Sequence, residues 1–315
     1  MIVLQSNPSL DAKCKRIVLI FGLGLIGKEI FNSLLAQSYT YTTHKFDWND
    51  RGQQAQDAST LMAEIKTIVA CEAYDKAVEV AVVWAAGRAG FSSGDNEMAT
   101  EELSFKAILD LYRKLVDACP SGKFKFHLVS SAGGIFESQS HIGAESTPSP
   151  CRPYGHLKLK LEMLLSEVLD KDSCFIYRPS SVYGLLNSGR SGLISTLIKN
   201  GLLNKEVQIF GSMDTLRDYV FSGDIGEYIA NKITKKPDNY GTHFLVSGRP
   251  TSILQLKITV ERILNKKIYI CSSLSGSNSE NITFNHSCLP YDWRPTEINL
   301  GVKKIYSEYF LQDHY

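Results

Sequence analysis

The sequence lacks a surplus of charge, a long apolar run and any cysteine pattern, and each absence removes a class of function. Lysine and arginine number 34 against 33 aspartates and glutamates, a formal charge of +1. General nucleic-acid binding needs a basic surplus to neutralise phosphates, so none is expected. The longest uncharged apolar stretch, residues 17–27, has eleven residues and three glycines. A membrane-spanning helix needs about 20, so no membrane insertion is expected. Residues 1–14 show no basic start followed by an apolar run, which argues against a secretory signal. The seven cysteines include no CxxC and fit reduced thiols in a cytoplasm. The seven histidines have no metal-ligand spacing, so no metal is expected. Asn281 and Asn285 open glycosylation patterns that carry little meaning without export.

What is present is an ordinary globular composition over 315 residues, 43% hydrophobic and 21% charged. Apolar runs at 15–21, 78–84, 124–129 and 175–178 read as buried strands, with a further strand at 39–46. Between them, helical spacing appears in Ile26, Ile30, Leu34 and Leu35, then over 59–71, 101–118 and 154–169. Strand–helix alternation predicts an α/β fold with a parallel sheet covered on both faces. The last 130 residues or so are less regular, with short helices at 194–203 and 225–233 and a strand at 243–246. The expected division is an N-terminal extension at 1–14, a cofactor domain at 15–180, and a smaller, interlocked substrate-binding subdomain at 181–315.

Gly22-Leu-Gly24-Leu-Ile-Gly27 follows the first strand and opens the first helix. Glycine allows the tight turn and the close approach of a pyrophosphate, while the helix N-terminus supplies amide donors. In strand–turn–helix context this predicts a dinucleotide site. The end of the second strand leaves NAD against NADP open. His44 and Lys45 suit a 2′-phosphate, Asp47 suits a ribose or the adenine, and a plain solvated strand end fits equally well.

Tyr154-Gly-His-Leu-Lys158 puts a phenol and an ammonium on one helix face. A free tyrosine has a pKa of about 10; lowering it by about 3 units takes roughly 4 kcal/mol of electrostatic work. A neighbouring cation and an oxidised nicotinamide both favour the phenolate, which then serves as a base toward a sugar hydroxyl. Ser131, just after a strand, is placed to bond the same oxygen.

With these motifs on the page, the chain resembles the short-chain dehydrogenase/reductase superfamily, in its extended branch of NAD-dependent epimerases and dehydratases. The matching segments are Val83-Trp-Ala-Ala-Gly87, Val129-Ser-Ser-Ala-Gly-Gly134 and Pro153-Tyr-Gly-His-Leu-Lys158 with Glu162. Further on come Tyr177-Arg-Pro-Ser-Ser-Val-Tyr-Gly184, Ile209-Phe-Gly211, and Arg217-Asp-Tyr-Val220 with Asp224. The resemblance implies a Rossmann-type, doubly wound cofactor domain and a UDP- or other nucleotide-sugar substrate. It implies a catalytic set of Ser131, Tyr154 and Lys158. The implied cofactor set is Gly22, Gly24, Leu25, Ile26, Gly27, Asp47, Trp48, Ala85, Ala86 and Gly87, with Tyr154 and Lys158. Ser131, Ser181, Arg217 and Arg294 are the implied substrate contacts; the competing readings are a structural ion pair for Arg217, with Asp218 or Asp224, and a plain surface arginine for Arg294. Asp224 suits a helix cap as well as a ligand. A homodimer through Tyr112, Leu115 and Leu164, and a role in surface polysaccharide synthesis, follow from resemblance alone.

Three departures bear on function. Phe21 stands where the branch has its first glycine. Ser181 replaces an asparagine of the Arg-Pro motif. Ala132-Gly133 replaces the Asp-Glu pair of sugar 4,6-dehydratases, and elimination of water needs that extra acid and base. Only one strand–helix step fits between the glycine helix and residue 78, so an abbreviated cofactor half is expected. The leading expectation is a nucleotide-sugar epimerase acting at C4 through a keto sugar. The alternatives are a keto-sugar reductase or sugar dehydratase of the same family, and a non-catalytic cofactor-sensing regulator. The loop at 187–192 reads either as a substrate closure or as a connection.

Overall fold

The computed structural model describes residues 1–6, 14–48, 50–72, 77–91, 93–185, 192–235, 239–273 and 280–312. In chain order the first elements are β1 (Ile2–Ser6), β2 (Cys14–Phe21), α1 (Leu25–Ala36), β3 (Tyr39–Thr43), α2 (Arg51–Glu72) and β4 (Ala77–Trp84). They continue with α3 (Asp95–Ala118), β5 (Gly122–Val129), α4 (Ala132–Ile135), α5 (Pro153–Val168), β6 (Cys174–Pro179) and β7 (Ser181–Tyr183). Then come α6 (Leu193–Leu202), β8 (Val207–Phe210), β9 (Leu216–Arg217), β10 (Tyr219–Phe221) and α7 (Ser222–Thr234). The last are β11 (Gly241–Leu245), β12 (Thr251–Ser252), α8 (Ile253–Leu264), β13 (Ile270–Ser273) and α9 (Ile298–Gln312).

Seven strands form one mostly parallel sheet in the order β11-β6-β5-β4-β2-β1-β3. β2, β4, β5 and β6 pair in parallel along the middle. Their near-continuous Val, Ile and Phe content follows from burial on both faces. Residues 2–6, set apart by sequence as an extension, instead form an inserted strand. β1 runs antiparallel to β2, with Ile2 opposite Ile20, and antiparallel to β3, with Ile2 opposite Thr43. Ile2, Val3 and Leu4 are buried there; the run of four apolar residues from Met1 to Leu4 is too short to show a period. A single β3–α2 step separates α1 from β4, as the sequence suggests.

Two helices start earlier than their apolar periodicity. The Asp50 carboxylate accepts the Gln53 amide, an N-terminal cap that extends α2 back to Arg51. At the start of α3 the Glu97 carboxylate reaches back to accept the Gly94 amide, which fixes the helix to begin at Asp95. The apolar stripe of α2, Leu61, Ile65 and Val69, enters the same core as β2, β4 and α3.

The chain divides into two compact units. The first comprises Met1–Ser130, Arg152–Tyr177 and Gly226–Thr242; the second comprises Ser131–Cys151, Arg178–Ile225 and His243–Tyr315. The second has its own core, in which Ile194, Leu197 and Ile198 of α6 meet Leu256, Val260 and Leu264 of α8 and Val302 and Ile305 of α9. Among the described residues no helix is long and apolar enough to cross a membrane.

Candidate active site

The glycine turn after β2 uses its three glycines differently. Gly22 has φ +95°, and a Cβ there would lie 2.3 Å from the Ala86 Cα, so both backbone conformation and packing demand glycine. A Cβ on Gly27 would lie 1.9 Å from the Gly22 carbonyl oxygen, which is how closely α1 packs on the turn. A Cβ on Gly24 would meet nothing within 4 Å. Gly24 is also the N-cap of α1, and no side chain caps the amides of that first turn. The open space therefore lies where an anion is best received.

That space belongs to a cavity of about 620 Å3 within the first unit. Of the cofactor residues expected from sequence, Gly22, Gly24, Trp48, Ala85, Ala86 and Gly87 line it together. One face of α3 closes it with Asn96, Thr100, Glu101 and Ser104. Its floor is aromatic: Trp48 stands edge-on to Trp84 at 5.8 Å, and Phe46 lies 4.9 Å from Trp48. Trp84 is 1% exposed, and its indole N–H has no partner among the described residues. A buried orphan donor, an uncapped helix start and an empty cradle at Gly24 all fit a dinucleotide. The Asp47 carboxylate accepts the Asp50 amide ahead of α2, and the Asp47 amide donates to Asp57. His44 bonds Thr42 and lies 3.3 Å from Glu64.

Tyr154 and Lys158 lie on the first turns of α5, which opens with Pro153 at a position that suits its missing N–H. The Lys158 ammonium sits 5.5 Å from the centre of the Tyr154 ring. It is 4% exposed and donates to Glu101 Oε1 at 2.6 Å. The other oxygen of Glu101 accepts the amides of Arg88 and Ala89, each at 2.9 Å. A Cβ on Gly87 would come within 2.8 Å of Lys158 Nζ, so the ammonium lies directly against the cavity wall. Burial by itself would lower the lysine pKa, but Glu101, Tyr154 and Glu162 outweigh it and hold Lys158 above its ordinary value. Tyr154 packs on Phe91 at 5.3 Å, and the Arg152 guanidinium lies over the Phe91 ring at 5.0 Å. Ser130, next to the expected serine, donates to Glu162 at 2.6 Å.

Leu25 and Ile26 open α1 in the first unit, half-buried and outside the cavity lining, whereas the expected serine and substrate contacts belong to the second unit. Ser131 is the N-cap of α4; its oxygen accepts the Gly134 amide at 3.1 Å and keeps its O–H as a donor. Ser181 pairs with Tyr219 across β7 and β10, two residues from Arg217, and its amide donates to the Asp218 carbonyl. Arg217 donates to the carbonyls of Leu216 and Glu280. Arg294 is exposed and donates to the carbonyls of Tyr291 and Trp293. Asp224 lies in the first turn of α7 and accepts both the amide and the hydroxyl of Thr296. Ala132 and Gly133 form the first turn of α4, so no acidic pair occupies that position. Residues 187–191 of the expected loop lie outside the described residues.

Sequence reasoning missed Glu101. A signal was present: Met98, Glu101, Phe105 and Ile108 share the buried face of α3, and Glu101 is the charged member of an apolar stripe. The residues proposed for a dimer contact fare differently. Tyr112 and Leu115 are buried in the core and Leu164 is half-buried against the same core; outside the expected set, Leu103 on α3 and Met163 on α5 are exposed.

Comparison with known proteins yields a consistent set. The profile of the NAD dependent epimerase/dehydratase family matches residues 18–246. UDP-glucose 4-epimerase of Thermotoga maritima, solved with UDP-glucose, is 20% identical with a TM-score of 0.68, over 95% of this chain and 99% of that one. UDP-glucuronic acid 4-epimerase of Bacillus cereus, solved with UDP-glucuronic acid and NAD, is 20% identical with a TM-score of 0.67, over 95% and 100%. At these identities the likeness establishes the fold. Among curated proteins, an Escherichia coli O157:H7 4-epimerase of N-acetyl-alpha-D-glucosaminyl-diphospho-ditrans,octacis-undecaprenol is 26% identical over 161 residues. That match spans 50% of this chain and 47% of that protein.

Proposed function

Because the chain belongs to the NAD dependent epimerase/dehydratase family, we propose that it is a nucleotide-sugar 4-epimerase using NAD. The observation that carries this reading is the placement of Lys158, with Tyr154 one helical turn before it, against the wall of the cavity lined by Gly22, Gly24 and Gly87. In this reading the first unit binds the cofactor and the second binds the sugar nucleotide.

NAD bound there would supply the reversible removal and return of hydride at the sugar carbon. Gly22 and Gly24 admit the pyrophosphate to the amides of α1, and Trp48 and Trp84 receive the adenine half. Tyr154 takes the proton of the sugar 4-hydroxyl and later gives it back, a role worth about 10²–10⁴ in rate. Lys158 stabilises the phenolate, and Ser131 donates a hydrogen bond to the reacting oxygen. Arg217 and Arg294 pair with the diphosphate, a role suited to fixed guanidinium forks. Ala132 and Gly133 offer neither acid nor base, which disfavours dehydration.

The test is NMR of purified protein with UDP-hexoses and with a polyprenyl diphospho-sugar, the kind of substrate named for the E. coli relative. Epimerisation at C4 of a nucleotide sugar, reduced by at least about 10²-fold in Tyr154→Phe, supports the reading. Turnover confined to the lipid-linked sugar replaces the substrate, and no interconversion across the panel removes the function. The same reading makes the enzyme a cytoplasmic homodimer, supported by the exposed Leu103 and Met163 on neighbouring helices. Sedimentation as a monomer removes the dimer.

A further inference from the structure

Lys158 does not face the site alone, and the way it is held changes what Tyr154 experiences. The charged and titratable groups around its ammonium come from two helices. α3 contributes Glu101, and α5 contributes Tyr154 and Glu162. The loop after β4 contributes its backbone, with the Arg88 and Ala89 amides bound to Glu101 and Gly87 packed against the ammonium. Tyr154 also packs on Phe91, which in turn carries the Arg152 guanidinium over its ring. Glu101 is 4% exposed, and every contact of its carboxylate described above goes to the lysine or to the cavity wall.

We propose that Glu101 is a positioning residue for the reaction: it fixes the Lys158 ammonium against the cavity wall and offsets part of the lysine's field at Tyr154. The proposal rests on the reading of Tyr154 as the base. Two features of the geometry support it. Glu101 reaches Lys158 from a separate helix, so the ammonium is tethered at 2.6 Å independently of its own flexible stem. The same carboxylate holds the 88–89 backbone, so the lysine and one wall of the dinucleotide cavity share a single anchor. A carboxylate close to an ammonium cancels much of the ammonium's influence on a third group, and in a dry site this influence is large. An uncompensated lysine would make the phenolate easier to form than the native pair does.

The experiment is ultraviolet titration of the phenolate band of the purified protein, with the Tyr154-dependent part isolated by subtracting Tyr154→Phe. Glu101→Gln is expected to lower the midpoint by on the order of one pH unit. Glu101→Asp, which keeps the charge, stays near wild type. Lys158→Met raises the midpoint, and the double variant Lys158→Met/Glu101→Gln brings it back toward wild type, because both charges are gone. A Glu101→Gln midpoint equal to wild type in a folded protein overturns the proposal. So does a double variant that titrates like Lys158→Met, a comparison that remains available if Glu101→Gln alone does not fold. The readout needs no turnover, so a protein that fails to epimerise any sugar and still shows this cycle refutes the proposed function and keeps Glu101 in place.

Discussion

Two buried carboxylates, one in each unit, solve the same physical problem in opposite ways. Asp218 is 1% exposed, and its oxygens accept from the Ser180 hydroxyl, the Ser247 amide and hydroxyl, and the Gly248 amide at 2.5 to 2.8 Å. Its donors are neutral, and they tie the end of β6 to the turn after β11. Burial pushes the Asp218 carboxyl above its ordinary pKa, and Ser180, Ser247 and Gly248 pull back only part of that shift. Glu101 takes a cation as well as two amides. Neutral donors make a carboxylate into a joint, whereas a cation makes it part of a charge system that a neighbouring reaction can use.

The sharpest way to break this comparison is to remove Asp218. Asp218→Ala leaves four donors without their acceptor and is expected to lower stability by about 4 kcal/mol, read by urea denaturation, with the Tyr154 phenolate midpoint of the folded fraction unchanged. A shift of that midpoint would mean that the joint also feeds the charge system. Next in size is Lys158→Met, which strands Glu101 beside an open cavity. A loss of about 3 kcal/mol at pH 8 is expected, since water in the cavity relieves part of the buried charge. The sign follows from the raised lysine pKa: the stabilisation is complete below the ordinary value of 10.5 and is lost as pH rises through the folded value. The gap between wild-type and Lys158→Met stability should therefore close in strongly alkaline buffer, and a gap constant with pH would show that the pair contributes packing alone. Smallest is Thr296→Val, which removes the hydroxyl, one of the two groups by which Thr296 donates to Asp224. It should cost about 1 kcal/mol in thermal melting and leave turnover within about two-fold of wild type, a control for a carboxylate that is a joint only.

The parts of this molecule legible in the sequence are those encoded locally. β2 and β4 read as strands because each carries its own unbroken apolar run, and the glycine turn and the Tyr154–Lys158 spacing each lie within one short segment. β1 was not legible, because Ile2, Val3 and Leu4 acquire meaning only between β2 and β3. Glu101 was hidden for a related reason: its partner is 57 residues away, and one acidic residue on an apolar helix face does not name the cation it meets. The candidate dimer residues Tyr112 and Leu115 failed in the reverse sense, since helical spacing marks a face as apolar without saying whether that face turns inward.

The inserted β1 has a consequence for changing cofactor preference. Neighbouring strands are about 4.8 Å apart, so β3 stands roughly 9.6 Å from β2, one strand further than direct pairing would place it. Met1, just before the inserted strand, borders the cavity itself, and Phe46 and Trp48, after β3, pack edge-on against Phe21. Attempts to exchange NAD for NADP by rewriting His44, Lys45 or Asp47 would act on side chains outside the cavity lining. The productive positions are those that still border the cavity, beginning with Trp48 and Arg88.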